Sequence, residues 1–229
     1  MTVEFFSDPE QAVSIINNNS SIMVGGFVSA GSPSNLIMAL HNAGSSNLTV
    51  MANNVGLGDK LDMLCANKQV AKVIATFAIR ASGGRKSHFE EQYHKGEVEL
   101  ELVPQGSFAE RIRAGGAGIG GFLTPTGIGT MVSDNKEIIN VDGNDFLLER
   151  PLQADYALIK AYKADKNGNL IYRGASKNFN EVMATAAKCV IAEVEEIVEA
   201  GTFEPSNVDT PGIFVDRVVQ CNPIEIRWS

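Results

Sequence analysis

Apolar residues fall in short runs, and nearly every run is followed by a stretch with helical spacing. Ile22-Met23-Val24, Leu48-Thr49-Val50-Met51 and Val70–Thr76 are almost uninterrupted, the pattern of strands buried on both faces. Between them, Ala12, Val13, Ile15 and Ile16 predict a short amphipathic helix opened by a capping box, Ser7 at the N-cap and Glu10 three residues on. A helix over 33–42 stops at Gly44, another lies near 60–66, and the spacing predicts a fourth over Ser87–Lys95, after Gly83-Gly84 and ended by Gly96. Val98–Val103 alternates apolar and acidic residues as a strand with one wet face. Ser107-Phe108-Ala109-Glu110 reads as a second capping box, opening a helix over 108–114. Glu137–Val141, Asp142-Gly143 and Phe146–Leu148 then predict a type I′ hairpin. Strands at Tyr156–Ala161 and Leu170–Tyr172, a helix near 180–188, a strand at Cys189–Ala192, an acidic amphipathic segment at 193–199 and a proline-containing tail follow.

Repeated strand–loop–helix units imply right-handed crossovers. The expected fold is therefore α/β, a single open, doubly wound, mainly parallel sheet with flanking helices and a small antiparallel hairpin insertion, in one domain over 1–229. In such sheets ligands sit beyond the carboxyl ends of the strands, where the loops after Val24, Met51 and Val103 open. The loop after Val24 contains Gly25, Gly26 and Gly31, and Ser32-Pro33 then starts a helix. Strand, glycine loop and helix N-terminus in that order form an anion-binding corner, because unpaired N–H groups converge at the positive end of the helix dipole.

Composition narrows the function. Nineteen Lys and Arg against 27 Asp and Glu give a formal charge of −8, which argues against nucleic acid as a partner. Hydrophobic residues at 44% and charged ones at 20% suit a soluble globular chain, and no run approaches the 18 apolar residues of a membrane span. Cys65, Cys189 and Cys221 lack a CxxC pair and read as reduced thiols, so the expected location is cytoplasmic.

Familiar signatures fail on context. There is no P-loop, and Gly116, Gly118 and Gly121 spell GxGxxG after a helix instead of a strand. The run from Asp165 to Asn169 opens like a calcium loop but has Ser176 where the bidentate glutamate belongs. His41, His88 and His94 form no metal-ligand spacing, so no metal is expected, and the run Glu193, Glu195, Glu196, Glu199 reads as a solvated face. What remains is a set of backbone N–H donors and the carboxamide of Gln105 at a strand end. Such groups stabilise developing negative charge but cannot attack anything, so the attacking group is expected from elsewhere.

Gly25-Gly26-Phe27, Gly31 and Pro33 stand as Gly-Gly-Phe-x-x-x-Gly-x-Pro, and Pro104-Gln105-Gly106 precedes Glu110-Arg111-Ile112-Arg113-Ala114-Gly115-Gly116-Ala117-Gly118. With Asn53-Asn54, Ala154–Lys160, Lys177-Asn178-Phe179-Asn180, Glu193–Val198 and Thr210-Pro211-Gly212, these blocks resemble, over nearly the whole chain, the α (A) subunit of class I CoA-transferases. The resemblance implies a CoA-transferase-like, Rossmann-like fold and ping-pong transfer of CoA between an acyl-CoA and a carboxylate. The glutamyl-CoA thioester of that cycle forms on a β subunit, in an α2β2 heterotetramer. It assigns Gln105 to the oxyanion hole, where its amide also orients the partner's glutamate, and Gly25, Gly26, Phe27, Val28, Ser29, Ala30 and Gly31 to CoA. CoA and acyl-CoA are substrates, and no cofactor is bound permanently. Glu199-Ala200-Gly201 imitates the family's Glu-x-Gly nucleophile sequence but falls in a structural block, so Glu199 is rejected. The Leu123–Thr126 and Leu147–Pro151 blocks lean toward the acetate/butyrate–acetoacetate type. The alternative is a non-catalytic acyl-CoA- or anion-binding regulatory module on the same fold. A stand-alone sugar-phosphate isomerase would need an acid–base pair at the strand ends, and none is evident.

Overall fold

The computed structural model describes residues 2–56, 60–78 and 86–222; the Gly83-Gly84 pair lies outside the described residues. In chain order the elements are β1 (Glu4–Phe6), α1 (Pro9–Val13), β2 (Ser21–Val24), α2 (Ser34–Ala43), β3 (Leu48–Asn54), α3 (Leu61–Ala66), β4 (Val70–Phe77), α4 (His88–His94) and β5 (Glu99–Leu102). They continue as α5 (Gln105–Ala117), β6 (Phe122–Thr124), β7 (Ile138–Val141), β8 (Asn144–Glu149), β9 (Ala154–Asp165), β10 (Leu170–Ile171), α6 (Asn178–Ala184), β11 (Ala187–Val198) and β12 (Arg217–Gln220).

The main sheet is nine-stranded, in the order β1-β12-β11-β9-β2-β3-β4-β5, with β10 added to β9. All of its pairings are parallel except β9–β10. Successive strand residues point to opposite faces, and both faces are covered. Ile22, Val50, Val73 and Ile191 pack with Val13, Leu36, Ile37, Leu64 and Phe89 from α1–α4. Their chain neighbours Met23, Met51, Ile74 and Val190 pack with Phe108, Ile112, Phe179 and Met183 from α5 and α6. Each fully buried side chain of this size contributes about 1.5–3 kcal/mol, so the near-continuous apolar runs are what a sheet covered on both sides requires. The doubly wound expectation is met, and the predicted hairpin β7–β8 gains β6 as a third strand in a separate antiparallel sheet.

Three local readings change, and one edge pair is new. Asp8, not Ser7, caps α1, its carboxylate accepting the Glu10 N–H at 2.9 Å. Pro9 lacks an N–H and suits the first helical position, which moves the cap to the residue before it. The capping box at Ser107 does not form, because α5 starts at Gln105, directly after Pro104, with Ser107 buried inside its first turn. The helix near 180–188 ends at Ala184, since β11 begins at Ala187 and runs 12 residues through the acidic segment at 193–199. The edge pair β1–β12 has too little pattern in three or four residues to be read from sequence.

Within the Gly115–Gly121 run, Gly115 and Gly116 form a packing surface. A Cβ on Gly115 would overlap the Leu152 carbonyl, and one on Gly116 would overlap the Thr185 side chain. Small residues there let α5 lie against the chain entering β9 and the end of α6, while Gly118 ends the helix in the left-handed conformation. Among the described residues no helix is long and apolar enough to cross a membrane.

Candidate functional site at the carboxyl edge of the sheet

The glycine corner leaves β2 at the carboxyl edge. Phe27 and Ala30 exchange backbone hydrogen bonds at 3.0 Å, closing a tight turn, and the Gly25 N–H donates to the Leu158 carbonyl of β9 at 2.9 Å. Two asparagines of α6 hold the turn from below: Asn178 donates to the Ala30 carbonyl and Asn180 to the Gly31 carbonyl, both at 2.9 Å. Asn180 is fully buried, and a Cβ on Gly25 would overlap its carboxamide, so glycine is required there by close approach. Val28 sits at φ 55, a left-handed conformation unusual for a β-branched residue. Its N–H donates to Asn54 Oδ1 at 2.7 Å, which helps hold a backbone that costs about 1–3 kcal/mol.

The carboxamides continue across the strand ends. Asn53 and Asn54 finish β3, and Asn53 Nδ2 donates to Asn54 Oδ1 at 3.3 Å. Gln105, the first residue of α5, donates from Nε2 to Asn53 Oδ1 at 2.8 Å. The amide of Gln105 is thereby linked, through Asn53 and Asn54, to the backbone of the glycine corner. The Thr76 hydroxyl of β4, between β3 and β5, is buried without a hydrogen-bond partner among the described residues. The structure thus brings together the two regions singled out in sequence, Gly25–Gly31 and Gln105. It adds Asn53, Asn54, Asn178 and Asn180, whose sequence blocks were visible but whose function as connectors depends on pairing that only the fold supplies.

Among the described residues, the crevice between the corner and Asn53-Asn54 has a volume of about 10 Å³ and itself admits nothing larger than a water. Phe27 and Val28 on the corner, Phe77 at the end of β4 and Leu102 at the end of β5 are all exposed along this edge. No carboxylate among the described residues bonds to Gln105.

Two sequence expectations about charge are changed by the fold. The acidic run is not solvated throughout: Glu196 and Glu199 are exposed as expected, but Glu193 is 1% exposed, and Glu193 and Glu196 lie on β11 in register with Lys160 and Lys163 of β9. Nor is the N-terminus of α2 open to an anion from outside. The Asn35 and Leu36 N–H groups both donate to Glu193 Oε2, at 2.8 and 3.2 Å, so the protein's own carboxylate fills the position. Burial pushes the Glu193 carboxyl up, against the lowering effect of Asn35, Lys160 and the helix N–H groups. Glu199 lies past the end of β11 and pairs with Lys166 at the surface. Cys65, Cys189 and Cys221 form no disulfide among the described residues, and burial pushes Cys189 up to about 11 and Cys221 to about 12, so neither of these two is a thiolate at neutral pH. No metal-binding cluster occurs among the described residues.

Residues 6–221 match the protein family described as Coenzyme A transferase. The A subunit of the probable succinyl-CoA:3-ketoacid coenzyme A transferase of Bacillus subtilis (strain 168) is 47% identical over 214 residues, covering 93% of this chain and 88% of that protein. The A subunit of the 3-oxoadipate CoA-transferase of Acinetobacter baylyi is 47% identical over 210 residues, 91% of either chain. Among solved structures, glutaconate coenzyme A-transferase from Acidaminococcus fermentans superposes with a TM-score of 0.84 over 95% of this chain and 75% of that one, at 22% identity, a likeness of fold.

Proposed function

This chain belongs to the coenzyme A transferase family as an A-type subunit, and on that premise we propose that it supplies half the active site of a heteromeric acyl-CoA:carboxylate CoA-transferase. The other half comes from a B subunit, in an α2β2 assembly. The observation that carries the reading is the Gln105 amide, held by Asn53 at the rim of the glycine corner with no attacking carboxylate bonded to it among the described residues. A stabiliser without an attacker fits a site completed by a second chain.

In the proposed cycle a B-subunit glutamate attacks the acyl-CoA thioester carbonyl. The C–S bond breaks, leaving an acyl-glutamyl anhydride and CoA thiolate. The thiolate then attacks the glutamyl carbonyl, releasing the first carboxylate and forming glutamyl-CoA. The acceptor carboxylate reverses these steps. Each addition places negative charge on a carbonyl oxygen, and the role of Gln105 is to donate to that oxygen and to orient the incoming carboxylate. The corner from Gly25 to Gly31 takes the CoA ester against its backbone.

The named relatives act on 3-oxo acids, succinyl-CoA:3-ketoacid and 3-oxoadipate transferases, and we take a 3-oxo acid as the acceptor class. The acetate/butyrate lean from the Leu123 and Leu147 blocks remains the competing specificity. Reconstitution with the B subunit followed by a donor and acceptor panel (succinyl-CoA, acetyl-CoA, acetoacetate, 3-oxoadipate, butyrate) decides between them. The isolated chain is expected to turn over nothing and the reconstituted pair to transfer CoA; turnover by this chain alone would sink the proposal. Gln105→Ala is expected to lower kcat by about 10²–10³, whereas Glu199→Gln leaves turnover and the covalent thioester intact.

A further inference from the structure

Glu193 is the most deeply buried acid near the glycine corner, and the transferase cycle above makes no use of it. It sits on β11, 1% exposed, with its carboxylate aimed at the first turn of α2. Oε2 accepts the backbone N–H groups of Asn35 and Leu36, and Oε1 accepts Asn35 Nδ2 at 2.8 Å. Lys160 Nζ lies 3.7 Å from Oε1, its side chain 16% exposed. The helix it caps is entered directly from the corner, whose last residues, Gly31 to Pro33, have no side-chain cap of their own on α2. The other leg of the corner is fixed by β2, and its underside by Asn178 and Asn180. Beside these and the Asn54 contact to Val28, Glu193 supplies a further anchor, and the only charged one in that set.

We infer that Glu193 is a positioning residue for the glycine corner, setting the loop that receives the CoA ester by holding α2 in place through its first two N–H groups. The inference rests on the transferase reading and extends it to a residue that touches no reacting atom. A second consequence follows from the same contact. With the α2 N-terminus satisfied internally, the corner offers its loop backbone to the ligand and not a helix dipole.

A loop loosened at one anchor binds ground state and transition state less well by the same amount, which raises KM and leaves kcat. In the reconstituted enzyme, Glu193→Ala is expected to raise KM for the CoA ester about tenfold or more, with kcat within about threefold of wild type. Glu193→Gln, which keeps an acceptor for the two N–H groups, is expected to bring KM back to within about threefold. A general structural defect would instead lower the melting temperature and the active fraction without this split or its rescue. Wild-type KM in Glu193→Ala, or a fall in kcat like that of Gln105→Ala, would overturn the inference. Should Glu193→Ala fail to assemble with B, Asn35→Ala decides. It leaves the carboxylate on the helix but removes the Nδ2 contact, and KM is expected to rise about threefold, an unchanged KM counting against the inference. Absence of CoA transfer by the wild-type pair would mean instead that the transferase reading itself is wrong.

Discussion

At the scale of single residues, the site is a relay of carboxamides. Gln105 has one hydrogen-bond partner among the described residues, Asn53, so the direction in which its free N–H and carbonyl point depends on that contact. A neutral hydrogen bond is worth about 1 kcal/mol net, roughly a factor of five to ten in rate if it is all spent on orientation. Asn53→Ala is therefore expected to lower kcat of the reconstituted enzyme about five- to tenfold, much less than loss of Gln105 itself, with the fold unchanged by circular dichroism. If both variants lost the same factor, Asn53 would be acting on the substrate directly. Gly25→Ala tests a different constraint: its Cβ would overlap the Asn180 carboxamide, which also holds Gly31, so the corner itself must shift. Neither contact was readable from the chain, because the residues lie 52 positions apart in one case and 149 in the other. Their residue types were legible as blocks; their pairing was not.

Between elements, Asp155 ties the start of β9 to the start of β2. Its Oδ2 accepts the Ser21 N–H at 2.9 Å and the Ser21 hydroxyl at 2.7 Å, and Oδ1 meets Lys188 at 2.9 Å. The Ser21 backbone bond, then Lys188 and the Ser21 hydroxyl, hold its carboxyl at about 2, below the ordinary 3.8. A group that binds its proton less readily when folded stabilises fully above its unfolded pKa, and that stability is lost as pH falls toward about 2. Asp155→Asn is expected to cost about 1 kcal/mol at pH 7, with allowance for a partly exposed, screened group, or about 2–4 °C in melting temperature. Urea titrations at pH 7 and pH 3 check the sign: the gap from wild type must narrow at the lower pH. The same strands show where the pattern stopped being informative. Their buried halves were legible because apolar runs of that length have few other uses. Beyond Ala192 the alternation of Glu193, Val194 and Glu195 looked amphipathic and acidic, and its meaning depended on Lys160 and Lys163 one strand away. Helix starts failed for a similar reason: the Ser107 box is chemically sound, but Pro104 lets the helix begin three residues earlier at Gln105, which is what puts that amide on the edge.

For the molecule as a whole, the question is how the small antiparallel sheet is fastened to the large one, since Leu147 and Glu149 are the buried side chains its three strands contribute. The answer is a cluster of charges around α5. Arg111 Nη1 donates to Glu101 of β5 at 2.6 Å, its Nε donates to the Arg150 carbonyl at 2.8 Å, and Glu149 of β8 lies 3.7 Å from Nε. Lys136 reaches the same Glu149 at 2.6 Å. Burial pushes the Glu101 carboxyl up, but the bond and charge of Arg111, with Lys72, outweigh it and hold the group below its ordinary value. A single guanidinium thus bridges both sheets, sharing Glu101 with Lys72 and the 1% exposed Glu149 with Lys136. Removing it takes away the bonds to Glu101 and the Arg150 carbonyl and leaves the buried Glu149 charge stranded in part, with Lys136 alone to balance it, a loss of about 3 kcal/mol in all. Arg111→Met, close in volume and uncharged, is expected to lower the melting temperature by about 6–12 °C. Adding Glu149→Gln should recover part of that loss, because the stranded charge is then gone while Lys136, 23% exposed, can turn to water. If the double variant is less stable than Arg111→Met alone, the cluster holds the sheets through hydrogen-bond geometry and not through charge balance. Either sign bears on the site, because α5 carries Gln105 at one end and Arg111 two turns later. A helix held against the small sheet by Arg111 is a helix whose first residue is held at the edge to which we assign the CoA ester.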